Sequence, residues 1–170
     1  MYAFSGDIKN ISELDSIYFT VEGSPEKLEF IEGLLESLGN KIQRVATDKK
    51  ALYHIANVMA SNLILALLDI AKDCGEESGV KAESFMDSLM PLILGNINNI
   101  IEKGFEGALT GPIERNDFLT IQKHLEALPK QYVGIYASLS MILTQLARQK
   151  HPERDYAAIC VLLCEYIKKY

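Results

Sequence analysis

Hydrophobic and polar positions along this chain change period once. Residues 16–22, Ser-Ile-Tyr-Phe-Thr-Val-Glu, are rich in β-branched and aromatic side chains and lie between turn formers, which predicts a strand. Gly23-Ser24-Pro25 follows, with Ser24 placed to cap a helix and Pro25 in its first turn. Leu28, Ile31, Leu34, Leu35 and Leu38 then make one apolar stripe at helical spacing, closed by Gly39-Asn40. Residues 42–46, Ile-Gln-Arg-Val-Ala, read as a second short strand. Strand, helix and strand make one βαβ unit, which normally belongs to a parallel sheet of several more strands. Two strands cannot cover themselves on both faces. The unit is therefore either a small α/β appendage or the back end of a longer protein whose main sheet lies upstream.

From Thr47 onward the period is helical. Residues 48–73 read as one long helix, with Ile55, Val58, Met59, Leu63, Ile64, Leu67 and Leu68 around most of it, so its middle is expected to be buried. A second long helix spans residues 82–103, with Phe85, Met86, Leu89, Ile93, Ile97, Ile100 and Ile101 inward. Pro91 is expected to kink or break it, and Gly104 ends it. A short helix follows Asp117 and stops at Leu128-Pro129. Residues 130–148 carry Tyr132, Ile135, Tyr136, Leu139, Ile142, Leu143 and Leu146 in register, and residues 153–168 carry Tyr156, Ile159, Cys160, Leu163 and Ile167. The fold class that results is mainly α: a bundle of five or six helices over residues 48–170, preceded over residues 1–47 by a short βαβ remnant. Residues 1–10 carry no periodic signal.

Composition narrows the function classes. With 48% hydrophobic residues in a chain of 170, a core can form without staples. A net charge of −6 argues against non-specific nucleic-acid binding, which needs clustered Lys and Arg. Of the three cysteines, Cys160 and Cys164 are one helical turn apart, but no second pair matches them as metal ligands. All three read as buried apolar residues of a reducing, cytoplasmic compartment. A polar, Gly-containing start argues against a signal peptide. The longest uncharged run, residues 51–68, contains His54, Asn57, Ser61 and Asn62 and stops at Asp69, which is too polar for a membrane span.

Candidate chemistry concentrates in two places. Residues 108–125 approach a sharp turn at Gly111-Pro112 and then present Thr110, Arg115, Asn116, Asp117, Thr120 and His124. Asp117 can cap the following helix, and Thr120 and His124 share one of its faces. An Arg and an Asp delivered to a helix start suit anion recognition; the same residues equally serve as a cap, its ion-pair partner and a surface histidine. On the first long helix, Lys50, His54, Asn57 and Ser61 fall at spacings of four, three and four, on one stripe. That stripe is either a functional cleft, a hydrogen-bonded structural network or simply an exposed N-terminal half of the helix.

Two stretches together resemble a known family. One is Lys50-Ala-Leu-Tyr-His54 with Ala60-Ser-Asn62; the other is Ala108-Leu-Thr-Gly-Pro-Ile113 with Arg115, Asp117, Thr120 and His124. Their order and separation resemble the C-terminal half of uncharacterised Rossmann-type oxidoreductases. These are relatives of ketopantoate reductase, pyrroline-5-carboxylate reductase and 6-phosphogluconate dehydrogenase. Phe4-Ser5-Gly6 and Val21-Glu22-Gly23 look like the tail of that family's dinucleotide-binding domain.

The resemblance implies a helical domain like the 6-phosphogluconate dehydrogenase C-terminal domain, forming the substrate side of a cleft and a homodimer interface. NADP or NAD would be bound in the intact protein by an N-terminal nucleotide-binding domain. The Gly-x-Gly-x-x-Gly turn of that domain is absent here, so this chain alone is expected to hold no cofactor and to be inactive. Lys50 or His54 would protonate a small-molecule substrate. The implied substrate-binding set is Asn57, Ser61, Asn62, Thr110, Gly111, Arg115, Asp117, Thr120 and His124. The chain departs from the pattern twice. His54 stands where relatives place an Asn four residues after the Lys, and Asn116 replaces a Gly. Neither a metal, a nucleic acid nor a membrane is expected as partner, and the competing class is a non-catalytic helical dimerisation or docking module.

Overall fold

The β-branched run and the Ile-Gln run do become strands. In the computed structural model, which describes residues 18–169, β1 (Tyr18–Val21) lies parallel to β2 (Lys41–Arg44), with Thr20 opposite Gln43 and Val21 opposite Arg44. The crossover is α1 (Pro25–Ser37), entered through extended Ser24 with proline as its first residue. It ends in a Schellman turn: the Gly39 amide donates to Glu36 O and the Asn40 amide to Leu35 O, with Gly39 at φ +78°. Arg44 grips Glu32 through two hydrogen bonds, tying α1 to β2. Phe4-Ser5-Gly6 and the first residues of the expected strand, Ser16 and Ile17, lie outside the described residues.

The helical part opens with a short 3-10 turn (Thr47–Lys49) and continues as α2 (Lys50–Met59) and α3 (Asn62–Glu77). The single long helix expected here is thus two. At the break the Ser61 hydroxyl donates to Asn57 O (2.6 Å) and to Asn62 Oδ1 (3.0 Å), and the Ser61 amide reaches only Val58 O, three residues back. Short polar side chains that bond local carbonyls compete with helix continuation. By length and composition the run Thr47–Glu77 would suffice to cross a membrane. The break leaves helices of 10 and 16 residues, each short of the roughly 20 a span needs.

After these come α4 (Ala82–Ala108), α5 (Phe118–Ala127), α6 (Lys130–Lys150) and α7 (Ala157–Lys169). Pro91 does not break α4; the non-helical residue inside it is Gly104, at φ +70°. The pattern changes character at residue 47, whereas compaction divides the chain later, between Leu67 and Leu68. The first unit has no fully buried residue among those described, and Ile31, Leu34 and Leu38 of the α1 stripe are exposed.

The second unit holds the core. Packed in it are α6 on α7, α5 and α4, with α5 also on α7. Ile121 and Leu125 of α5 meet Tyr156, Ile159 and Leu163, all buried. On α6 the buried stripe is Val133, Ala137, Ser140, Thr144 and Ala147. This corrects the expected inward face: Ile135, Leu139, Ile142 and Leu143 are exposed. Small side chains let neighbouring helices approach closely, so α5 and α7 take the small face and leave the bulky one uncovered. Thr144 satisfies its buried hydroxyl by donating to Ser140 O at 2.8 Å. Of the apolar residues expected to be buried in α2 and early α3, Ile55, Met59, Leu63, Ile64 and Leu67 are exposed and Val58 and Leu68 are half-buried. Cys164 is exposed too, and Cys74 and Cys160 are half-buried.

Candidate functional site

Residues 109–117 form a tightly held loop. Gly111 sits at φ +94°, a conformation L side chains rarely adopt, so the turn requires glycine. Pro112 follows, and the Asp117 amide closes back on Pro112 O at 2.9 Å. Asn116 occupies the left-handed region at φ +58° and donates from Nδ2 to Asp155 O at 2.9 Å, which explains an Asn where a Gly would also fit. Asp117 caps α5: its carboxylate accepts from the Thr120 amide (3.1 Å) and the Thr120 hydroxyl (2.7 Å). Those bonds, with Arg115 nearby, hold its carboxyl below the usual range. Arg115 and Thr110 remain exposed.

Glu114 organises the loop, although nothing in its neighbouring residues pointed to it. His151 Nε2 lies 2.5 Å from its Oε1, with Arg154 Nη1 at 3.7 Å and Lys150 Nζ at 3.8 Å. Its backbone carbonyl accepts from Arg154 (2.8 Å) and from the Tyr156 hydroxyl (2.9 Å), and Lys150 also donates to Leu109 O. The His151 hydrogen bond, against the opposing effect of burial and helped by the charges of Lys150 and Arg154, keeps the Glu114 carboxyl below its ordinary value.

In the first unit the polar stripe is partly self-satisfied. Lys50 pairs with Glu22 at 3.0 Å in solvent. Asn57 Nδ2 donates to Tyr53 O, and Ser61 bonds Asn57 O and the Asn62 side chain. His54 is exposed. A cluster not foreseen stands beside them. The Tyr53 hydroxyl is 2.7 Å from Thr20 Oγ1, and Gln43 Nε2 donates to both, joining α2 to the strand pair. The Thr20 hydroxyl pulls the Tyr53 phenol below its usual value, against the opposing effect of burial. Tyr53 lies inside the Lys50-Ala-Leu-Tyr-His54 stretch, one residue before the expected His54, and could have been found there.

Two of the cavities lined by described residues of the second unit share no residue. One, of about 320 Å³, takes Thr110 and Asn96 as its polar lining against Ile100, Phe105, Leu143 and Leu146. The other, of about 370 Å³, contains His124. The structure thus places Thr110 in one cavity and His124 in another, while Asp117 and Thr120 are engaged with each other. Among the described residues no group of three or more His, Cys, Asp or Glu comes together to hold a metal.

The β1–α1 turn is not a dinucleotide-binding turn of the Gly-x-Gly-x-x-Gly kind. The turn from β1 into α1 offers one glycine, the carboxylate of Glu22 and, at Pro25, no amide where a phosphate would dock. A Cβ at Gly23 would meet only Leu28, at an ordinary 3.8 Å, so nothing there requires a close backbone approach.

The architecture is therefore that of a mainly helical protein carrying a short parallel β–α–β unit and a structured loop ahead of α5. The domain of unknown function DUF2520 matches residues 17–142, and the chain belongs to that family. No curated protein matches it. Among solved structures the chain is similar to protein TM1727 from Thermotoga maritima, with 26% identity and a TM-score of 0.72. The match covers 86% of this chain and 60% of that one, so the chain spans less than two thirds of the relative's length.

Proposed function

We propose that this chain is the substrate-binding and dimerisation part of an NAD(P)-dependent oxidoreductase related to ketopantoate reductase, pyrroline-5-carboxylate reductase and 6-phosphogluconate dehydrogenase. One observation carries the reading: the parallel β1–α1–β2 unit has no buried residue of its own. Parallel strands are stable when covered on both faces, which is the situation of a strand pair inside a larger nucleotide-binding sheet. In this reading the nucleotide is held by a domain outside the described residues. The similarity to a longer protein, 60% of which is covered, supports it.

The roles follow from what each side chain has free. His54 is exposed, and Lys50 holds only a solvent-exposed ion pair with Glu22 that a substrate can displace; both suit delivery of a proton to a carbonyl oxygen or imine nitrogen. Thr110 and Asn96 present the polar groups of a mostly apolar cavity, which suits a small substrate with an apolar body and one or two hydrogen-bonding groups. Arg115 offers an exposed cation for a substrate carboxylate. The second copy of the chain covers the exposed apolar faces.

Calorimetric titration with NADH and NADPH tests this reading on the 170-residue chain beside a form extended upstream. Binding by the extended form alone is expected. No binding by either overturns the oxidoreductase reading and leaves a helical docking module, which the exposed apolar faces favour as the second reading.

A further inference from the structure

The cavity that contains His124 brings it together with Glu77, Cys74 and Tyr136, none of which the oxidoreductase reading uses. Its walls come from the C-terminal end of α3 (Cys74, Glu77), the end of α5 (His124), the Leu128-Pro129 connection and Tyr136 of α6. At about 370 Å³ it falls in the range of small-ligand sites, roughly 300–1,000 Å³. His124 Nδ1 is 2.8 Å from the Tyr136 hydroxyl, and the two rings meet edge to face at 5.8 Å. Burial pushes the Tyr136 phenol up, so it stays protonated and can donate to Nδ1. That contact fixes the orientation of the imidazole and leaves Nε2 for a ligand.

Glu77 supplies the charge. Neither a hydrogen bond nor an ion pair engages its carboxylate among the described residues, and no Lys or Arg lines the cavity. Lys72, on the same helix, pairs with Glu76. Burial first, then the charges of Glu77 and Asp73, raise the Cys74 thiol. A thiol held protonated is a poor nucleophile, so the cavity is built for recognition and not for covalent chemistry. Leu128, Pro129 and the Tyr136 ring give it an apolar wall, and an aromatic face also attracts cations.

We propose that this cavity is a binding site for a small organic cation with an apolar or aromatic body. The ammonium group pairs with Glu77, the body lies on Leu128, Pro129 and the Tyr136 ring, and His124 Nε2 meets a hydrogen-bonding group of the ligand. An anionic ligand finds no Lys or Arg in the lining and meets the Glu77 carboxylate. The site lies wholly within the second unit and stands whether or not the oxidoreductase reading does.

Three probes of one shape test it on the full chain: phenethylammonium, neutral 2-phenylethanol and anionic 3-phenylpropanoate, titrated by calorimetry and by following the His124 ring protons in NMR. Phenethylammonium is expected to bind saturably, to shift the His124 signals, and to bind at least tenfold tighter than the other two. Glu77→Gln is expected to weaken it about tenfold. The proposal is overturned if phenethylammonium fails to bind, if the neutral or anionic probe binds equally well, if His124 does not respond, or if folded Glu77→Gln binds as the parent does. The three-probe comparison needs no variant, so it decides the matter even where Glu77→Gln misfolds.

Discussion

A single carboxylate, Glu114, fixes the 109–117 loop to the end of α6 and to the segment that leads into α7. Its side chain meets His151 and its carbonyl meets Arg154 and Tyr156, so one residue closes contacts across some forty positions of sequence. The folded-state pKa of Glu114 is depressed, with the His151 hydrogen bond as the largest cause. A depressed carboxyl stabilises the fold above its unfolded pKa, near 4.5, and that contribution is lost as pH falls through the lower folded value. Glu114→Gln keeps the shape and removes the charge. We expect it to cost about 1 kcal/mol at pH 7, the ordinary worth of one such hydrogen bond. Below pH 4.5 its urea midpoint should fall less steeply than that of the parent. Asp117 and Glu32 titrate with the same sign in both proteins, so the difference between the two curves isolates Glu114. Parallel curves would show that the His151 contact contributes nothing.

Helix against helix, the decisive contacts are made by small residues. Gly75 of α3 faces the Phe85 ring of α4 so closely that an added Cβ would lie 2.5–2.7 Å from its atoms. In an open helix Gly→Ala stabilises by roughly 1 kcal/mol. Here overpacking, costing about 1–3 kcal/mol, should reverse the sign. Gly75→Ala is expected to destabilise in thermal melts and to be tolerated better with Phe85→Leu, the double-mutant cycle giving a favourable coupling; a stabilised single variant would mean the ring moves aside freely.

The same logic explains how much of the fold was legible beforehand. Helical periods, the Asp117 cap, the Gly111 turn and the Gly39 ending are local, and each followed from a few neighbouring residues. The buried face of α6 was not legible, because Ile135, Leu139 and Ile142 are more hydrophobic than Ala137, Ser140 and Thr144 and only packing distance ranks the two faces. Of the candidate site, the loop and its turn could be read. Glu114 and the pairing of Tyr136 with His124 could not, since the partners lie 12 to 42 positions away; Tyr53 stood inside a stretch already singled out, but its partner Thr20 lies 33 positions away.

Taken as a whole molecule, the chain exposes more apolar surface than scattered single residues explain. On α4, Met90, Leu94, Ile97 and Ile101 recur at spacings of four, three and four, all exposed, with Ile101 at 76%. On α6, Ile135, Leu139 and Ile142 repeat the same spacing. That is the seam pattern of helices that pack against other helices, and contiguous apolar patches of this kind mark association surfaces. A lipid surface would leave α4 tolerant of apolar change and would not limit the number of copies bound. A closed homodimer instead buries one self-complementary patch, and a charge placed in it is repeated across the two-fold axis. Like charges juxtaposed in a desolvated seam cost several kcal/mol. The parent chain is therefore expected to sediment as a dimer at micromolar concentration, and Ile97→Glu/Ile101→Glu as a monomer with unchanged far-UV dichroism. A parent that is monomeric across the concentration range, or a double variant that remains dimeric, would remove the second copy as the occupant of these faces.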